Sequence, residues 1–209
     1  MEDVLDLYER PYDPEYPQIC FDERPCQLLG DTIAPLPMKP GQPRKEDYTY
    51  KRQGTCCVLL AVEPLSGWRM IRVYRRRTKR EYALFMRELS QHYPQARSSR
   101  LVQDNLNTHS PASFYETFAP VEARSLTQRF ELHYTPKKAR WLNMAEIELS
   151  VLSRRCLHRR LATQKLLTRE VRAYEHERNR RRATIQWRFT TSKARRTLAC
   201  HYDNVHHPS

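Results

Sequence analysis

The chain has 209 residues, 39% of them hydrophobic and 29% charged, which suits one core of useful size and one domain around it. No stretch approaches the roughly 18–20 consecutive apolar residues that cross a bilayer, and the acidic start MEDVLDLYERPYD lacks the basic-then-apolar pattern of a secretory signal, so a cytoplasmic protein is expected. Lys plus Arg (37) less Asp plus Glu (24) leaves +13, an excess that favours a polyanionic partner through counterion release. The cations are spread along the chain and not gathered on one amphipathic helix, which favours nucleic acid over an anionic membrane surface.

Residues 1–17 read as the end of a helix (Val4, Leu5, Leu7, Tyr8) running into a proline-broken linker, PYDPEYP. QICFDERP follows as a short strand with Asp22 at its end. Residues 31–54, with Pro35, Pro37, Pro40 and Pro43 and the cations Arg44, Lys45, Lys51 and Arg52, have the composition of a loop. TCCVLLAVEP (55–64) is continuously apolar, as expected of a strand covered on both faces, and Ser66-Gly67 turns it into a hairpin partner, WRMIRVY (68–74). Tyr82, Phe85, Met86, Leu89 and Tyr93 then fall at helical spacing from Thr78 to Pro94.

SRLVQDN (99–105) is a second short strand, ending in Asp104, and Pro111 opens a short helix through Phe118. RFELHYTP (129–136) alternates like a strand. A helix from about Met144 places Ile147, Val151 and Leu152 on one face, and a long charged helix (163–183) and a basic helical piece, SKARRTLACHY, close the chain. The class expected is α/β, a mixed sheet flanked by helices with a C-terminal helical extension. Cys20, Cys26, Cys56, Cys57, Cys156 and Cys200 show no CxxC spacing, which argues against a zinc ribbon. Cys56 and Cys57 read as small buried hydrophobes, and the tail Cys200, His201, His206 and His207 as an opportunistic metal binder at most.

Asp22 and Asp104 share a context, since each ends an apolar strand, where functional groups gather in open sheets. Two carboxylates there form a hard-oxygen pocket suited to Mg²⁺, and a third acid from a crossing helix completes a two-metal site. Plainer readings stand beside this one. A strand-end Asp is commonly a turn-former, Asn143-x-x-Glu146 has capping-box spacing, and Glu148, one position off the apolar face, reads as solvated. On these grounds alone the chain is a basic α/β protein with nuclease chemistry as one reading.

ICFDERP (19–25), LVQDNLNTH (101–109), HYTPKKARWLNMAEIELSVLSRRCL (133–157) and IQWRFTTSKARRTL (185–198) together resemble the signatures of Tc/mariner-superfamily DDE transposases, in their bacterial insertion-sequence branch. The resemblance runs from about residue 4 onward and implies an RNase H-like fold. It also implies two Mg²⁺ or Mn²⁺ ions held by Asp22, Asp104 and Glu146, cleaving and joining DNA at transposon ends and target. Between Asp104 and Glu146 lie 41 residues (146 − 104 − 1), more than the family's usual spacing, so Glu131 is a competitor; its place inside the alternating strand favours Glu146.

Asn105, Asn107 and His109 follow the second Asp closely enough to orient waters or hold a phosphate, His109 being alternatively a general base or a loop-satisfying histidine. Lys137, Lys138 and Arg140 are candidate phosphate clamps, while Arg75, Arg76, Arg77, Lys79 and Arg80, and Arg178, Arg180, Arg181 and Arg182, form more generic basic faces. The organisation expected is a remnant interdomain helix and linker (1–17), a catalytic domain (18–160) and a basic helical extension (161–209). The family's helix-turn-helix units have no room ahead of Asp22, which suggests a truncated or second-frame product acting at the nucleoid, alone as a homodimer or beside a full-length transposase. The alternative is a non-catalytic DNA-binding or dimerising remnant that modulates such a partner.

Overall fold

A computed structural model describes residues 1–34, 39–41 and 47–199. In chain order its elements are α1 (Glu2–Tyr8), β1 (Gln18–Asp31), β2 (Tyr50–Glu63), β3 (Trp68–Tyr74), α2 (Lys79–His92), β4 (Ser99–Asp104), α3 (Ala112–Thr117), α4 (Pro120–Arg129), β5 (Phe130–Thr135), a 3-10 turn (Arg140–Leu142), α5 (Met144–Arg155), α6 (Gln164–Arg180) and α7 (Thr191–Thr197). The strands form one mixed sheet in the order β3-β2-β1-β4-β5. β1 is antiparallel to β2 and parallel to β4, and β5 continues the parallel half.

Side chains alternate across a strand, and here both faces are covered. Ile19, Phe21, Leu59 and Leu101 pack with Tyr82, Phe85 and Met86 of α2, Phe114 of α3 and Leu126 of α4. Cys20, Val58, Leu60 and Val102 pack on the other side with Leu149 and Leu152 of α5 and Leu167 and Val171 of α6, together with Val4 and Leu5 of α1 and Ala194 of α7. Double coverage is why β2 reads as an unbroken apolar run, Cys56 and Cys57 included, both buried. No helix among the described residues is long and apolar enough to cross a membrane.

Several expectations need correcting. β1 does not stop at Asp22 but runs on to Asp31. What stops is its pairing with β4, whose last matched pair is Cys20 with Val102, while pairing with β2 continues. Beyond that point β1 is an edge on one side, where Pro25 is tolerated. β2 begins at Tyr50, so the last residues of the expected loop are strand; Pro35, Pro37, Pro43, Arg44 and Lys45 lie outside the described residues, as do Cys200, His201, His206 and His207. Helix α4, unsignalled by hydrophobic periodicity, starts on Pro120 at its first turn, a position proline favours.

The buried face of α5 is also shifted. Met144, Ala145, Glu148, Leu149 and Leu152 face inward, whereas Ile147 is 41% exposed. Glu148 is not solvated: it is fully buried, 3.0 Å from Arg69 and 2.8 Å from Arg178, and accepts a hydrogen bond from Tyr174 Oη at 2.6 Å. Burial alone would raise its pKa, but the bonds from Arg178 and Tyr174 and the charge of Arg69 hold it below the usual carboxylate range. These partners come from β3 and α6, so the ion cluster bolts α5 to both.

Candidate active site

The parallel ladder pairs Gln18 with Arg100, Ile19 with Leu101 and Cys20 with Val102. Two residues further along each strand stand Asp22 and Asp104, so alternation puts both on the face that carries Cys20 and Val102, the face covered by α5. Helix α5 brings Glu146 to them in its first turn. Asn143 fixes that placement: its Oδ1 caps the helix by accepting from Ala145 N at 3.1 Å, and its Nδ2 donates to the Phe21 carbonyl at 2.8 Å. Tyr8 of α1 secures the turn before it, donating to the Leu142 carbonyl at 2.8 Å. Only half of a capping box forms, because the Glu146 carboxylate turns to Arg140, 3.3 Å away.

Asp22 is 2% exposed, and its Oδ1 accepts from the Glu23 main-chain N–H at 2.7 Å. Its pKa is pushed up to about 7, first by burial and then by the carboxylates of Glu146 and Asp104, against the Glu23 N–H and Arg140. The three acids therefore share one electrostatic field. They do not close on a common point: among the described residues no three His, Cys, Asp or Glu side chains converge enough to hold a metal ion, Glu146 being drawn outward by Arg140. Asp104 Oδ1 is buried with no hydrogen-bond partner apart from its ionic contact with His109 Nδ1 at 2.5 Å. Desolvated carboxylate oxygens, one of them lacking a hydrogen bond, are the donor set a hard divalent cation takes.

Glu131 stays away. It pairs with Arg100 in the β4–β5 register, four residues before Asp104 and its partner Thr135, or about 13 Å along the strand at ~3.3 Å per residue. Its carboxylate is 3.2 Å from His133 Nε2. Asn105 and Asn107 lie exposed just after β4, and Lys137, Lys138 and Arg140 lie exposed ahead of α5, Arg140 reaching Glu146. His109 is fully buried, its ring stacked on Tyr82 at 5.0 Å and edge-on to Phe21 at 5.1 Å. Burial opposes its protonation, but Asp104 and Glu23 outweigh that and raise its pKa to about 9. Arg178, grouped by the sequence with a generic basic face, is an anchor of Glu148.

The family model of the DDE superfamily endonucleases matches residues 17–168. The chain belongs to that family. Among solved structures, the Mos1 mariner paired end complex with Mn matches with a TM-score of 0.51 at 12% identity, over 88% of this chain and 60% of that one. A pre-cleavage Mos1 transpososome matches with a TM-score of 0.44 at 13% identity, over 87% of this chain and 59% of that one. This DDE chain thus spans about three-fifths of these relatives. The shared architecture is the RNase H-like fold, here a five-stranded mixed sheet among the described residues with helices on both faces. No curated protein matches it.

Glu23, a buried acid on the opposite face of β1 from Asp22, was not singled out by the sequence. It is 8% exposed and meets both His109, at 3.5 Å, and Arg77, at 3.0 Å. Its one sequence signal is adjacency to Asp22.

Proposed function

We propose that this chain is the catalytic domain of a transposase, performing divalent-metal-dependent cleavage and joining of DNA strands, with transposon ends and target DNA as substrates. The observation that carries the reading is the gathering of Asp22, Asp104 and Glu146 on one face where β1 and β4 part, in a field strong enough to hold a proton on Asp22 to about pH 7. Asp22, Asp104 and Glu146 are the residues that would hold two Mg²⁺ or Mn²⁺ ions. When bound, such ions lower the pKa of a nucleophilic water or hydroxyl and stabilise charge on the scissile phosphate.

The chain's own residues supply the rest. Asn143 keeps α5, and so Glu146, in register with β1. Arg140, which pairs with Glu146, and Lys137 and Lys138, exposed ahead of α5, offer cations to DNA phosphates. Arg140 leaving Glu146 for a phosphate would free that carboxylate, so that substrate and metal assemble the site together. The net charge of +13 suits action at the nucleoid, as a homodimer or with a full-length transposase.

A second reading, a non-catalytic DNA-binding or dimerising protein, draws on the Arg140–Glu146 ion pair, which leaves the three acids unconverged. Calorimetric titration with Mn²⁺ in the presence of duplex DNA separates the two. Binding by the parent that is lost in Asp104→Asn supports the catalytic reading; equal heats from both proteins support the other.

A further inference from the structure

Beneath the acids lies a second polar cluster, on the opposite side of β1. Glu23 follows Asp22 directly, so its side chain points away from the acids, into the layer where Phe21 and Tyr82 pack. There its carboxylate is 4% exposed and meets Arg77 at 3.0 Å and His109 Nε2 at 3.5 Å. His109, in the turn after β4, reaches round the end of that strand, and its Nδ1 lies 2.5 Å from Asp104 Oδ1. Glu23 also acts through its main chain, whose N–H donates to Asp22 Oδ1 at 2.7 Å. Buried carboxylates and imidazoles are costly unless paired, and here His109 joins the Glu23 carboxylate to that of Asp104.

We propose that Glu23 and His109 are positioning residues that fix the two aspartates as one unit. The Glu23 main chain holds Asp22, and its side chain, through His109, holds Asp104. The inference rests on Asp22 and Asp104 being metal ligands. Tyr82 and Phe21 clamp the imidazole ring between them, the His109 carbonyl accepts from Gln103 Nε2 at 2.9 Å and Tyr134 Oη at 3.1 Å, and Arg77 anchors the outer end. With ring and backbone fixed, His109 has little freedom except to point at Asp104. Its Nδ1 also lies 3.3 Å from the Asp104 main-chain carbonyl oxygen, so the ring meets both the main chain and the side chain of that residue. Carboxylate–histidine partners behind metal ligands set ligand orientation, and their loss typically weakens metal binding by about 10–100-fold.

The test is Mn²⁺ affinity by calorimetry on the full chain with duplex DNA, alongside kcat and KM for strand cleavage. His109→Phe preserves the ring packing and removes both N–H groups; Glu23→Gln preserves shape and removes the charge. Mn²⁺ affinity is expected to fall by about 10–100-fold in His109→Phe and less in Glu23→Gln, with kcat reduced, the KM for DNA unchanged and the melting temperature near that of the parent. His109→Asn, whose amide takes the place of Nδ1–H, is expected to recover most of the loss. Parental affinity and kcat in a folded His109→Phe, or in Glu23→Gln should the first not fold, overturns the positioning role alone. A parent that binds no Mn²⁺ overturns the catalytic reading, and this role with it.

Discussion

Replacing Asp22 by Asn should make the metal-free protein more stable while removing its chemistry. Asp22 is 2% exposed, and burial with two further carboxylates lifts its pKa to about 7 from an ordinary value near ~3.9. Below both values the folded and unfolded chains carry the same proton there, and no difference arises. As pH rises from about 4 to 7 the unfolded chain releases the proton while the folded one retains it, so wild-type stability falls through that window and levels off above it. At about 1.4 kcal/mol per pKa unit the full loss is about 4 kcal/mol.

Asparagine keeps the acceptor for the Glu23 N–H and carries no charge, but its amide still has to be buried, so about half, ~2 kcal/mol, should be recovered. For a chain of this size that is roughly 4–8 °C in melting temperature. Calorimetric melts in EDTA should show the gain at pH 8 and little of it at pH 4, and Mn²⁺ should raise the melting temperature of the parent only. A variant no more stable than the parent at pH 8, or equally stabilised at both pH values, refutes the argument that Asp22 is held in a destabilising field.

Other substitutions probe what holds the site. Glu148→Ala strands Arg69 and Arg178, both 3.0 Å or closer to that carboxylate, and should cost about 3–5 kcal/mol in urea unfolding. Asn143→Ala removes the α5 cap and the tie to Phe21; a loss of about 0.5–2 kcal/mol is expected, with kcat for strand cleavage falling more than KM rises because Glu146 loses its register. Replacing Lys137 and Lys138 together by Ala should leave the melting temperature unchanged and flatten the slope of log K for duplex DNA against log salt by about 2, near ~0.9 for each phosphate no longer neutralised. An unchanged slope would take those lysines off the DNA.

The sheet was largely legible because its strands carry local signals. β3 has the expected bounds, and α2 follows Thr78 as the helical spacing predicts. Legibility failed where distant partners decide the outcome. Nothing near Asp22 shows that β2 carries β1 on past the end of β4. Glu148 looked solvated because the arginines that neutralise it come from β3 and α6, 79 and 30 residues away. The same distance hid Glu23, whose meaning depends on His109 and Arg77 meeting it in space. Asp22, Asp104 and Glu146 are expected from the resemblance to DDE transposases and not from local spacing, and their common face follows only from the ladder register and the Asn143 tie.

Nicking of a supercoiled plasmid in Mn²⁺ by the purified chain tests the central claim most directly, with Asp22→Asn, Asp104→Asn and Glu146→Gln assayed beside it. The parent is expected to nick, and each variant to fall to the rate seen in EDTA while remaining folded. Folded variants that nick as fast as the parent would contradict the assignment of the three acids, and a parent that binds DNA and Mn²⁺ without nicking would contradict the catalytic reading.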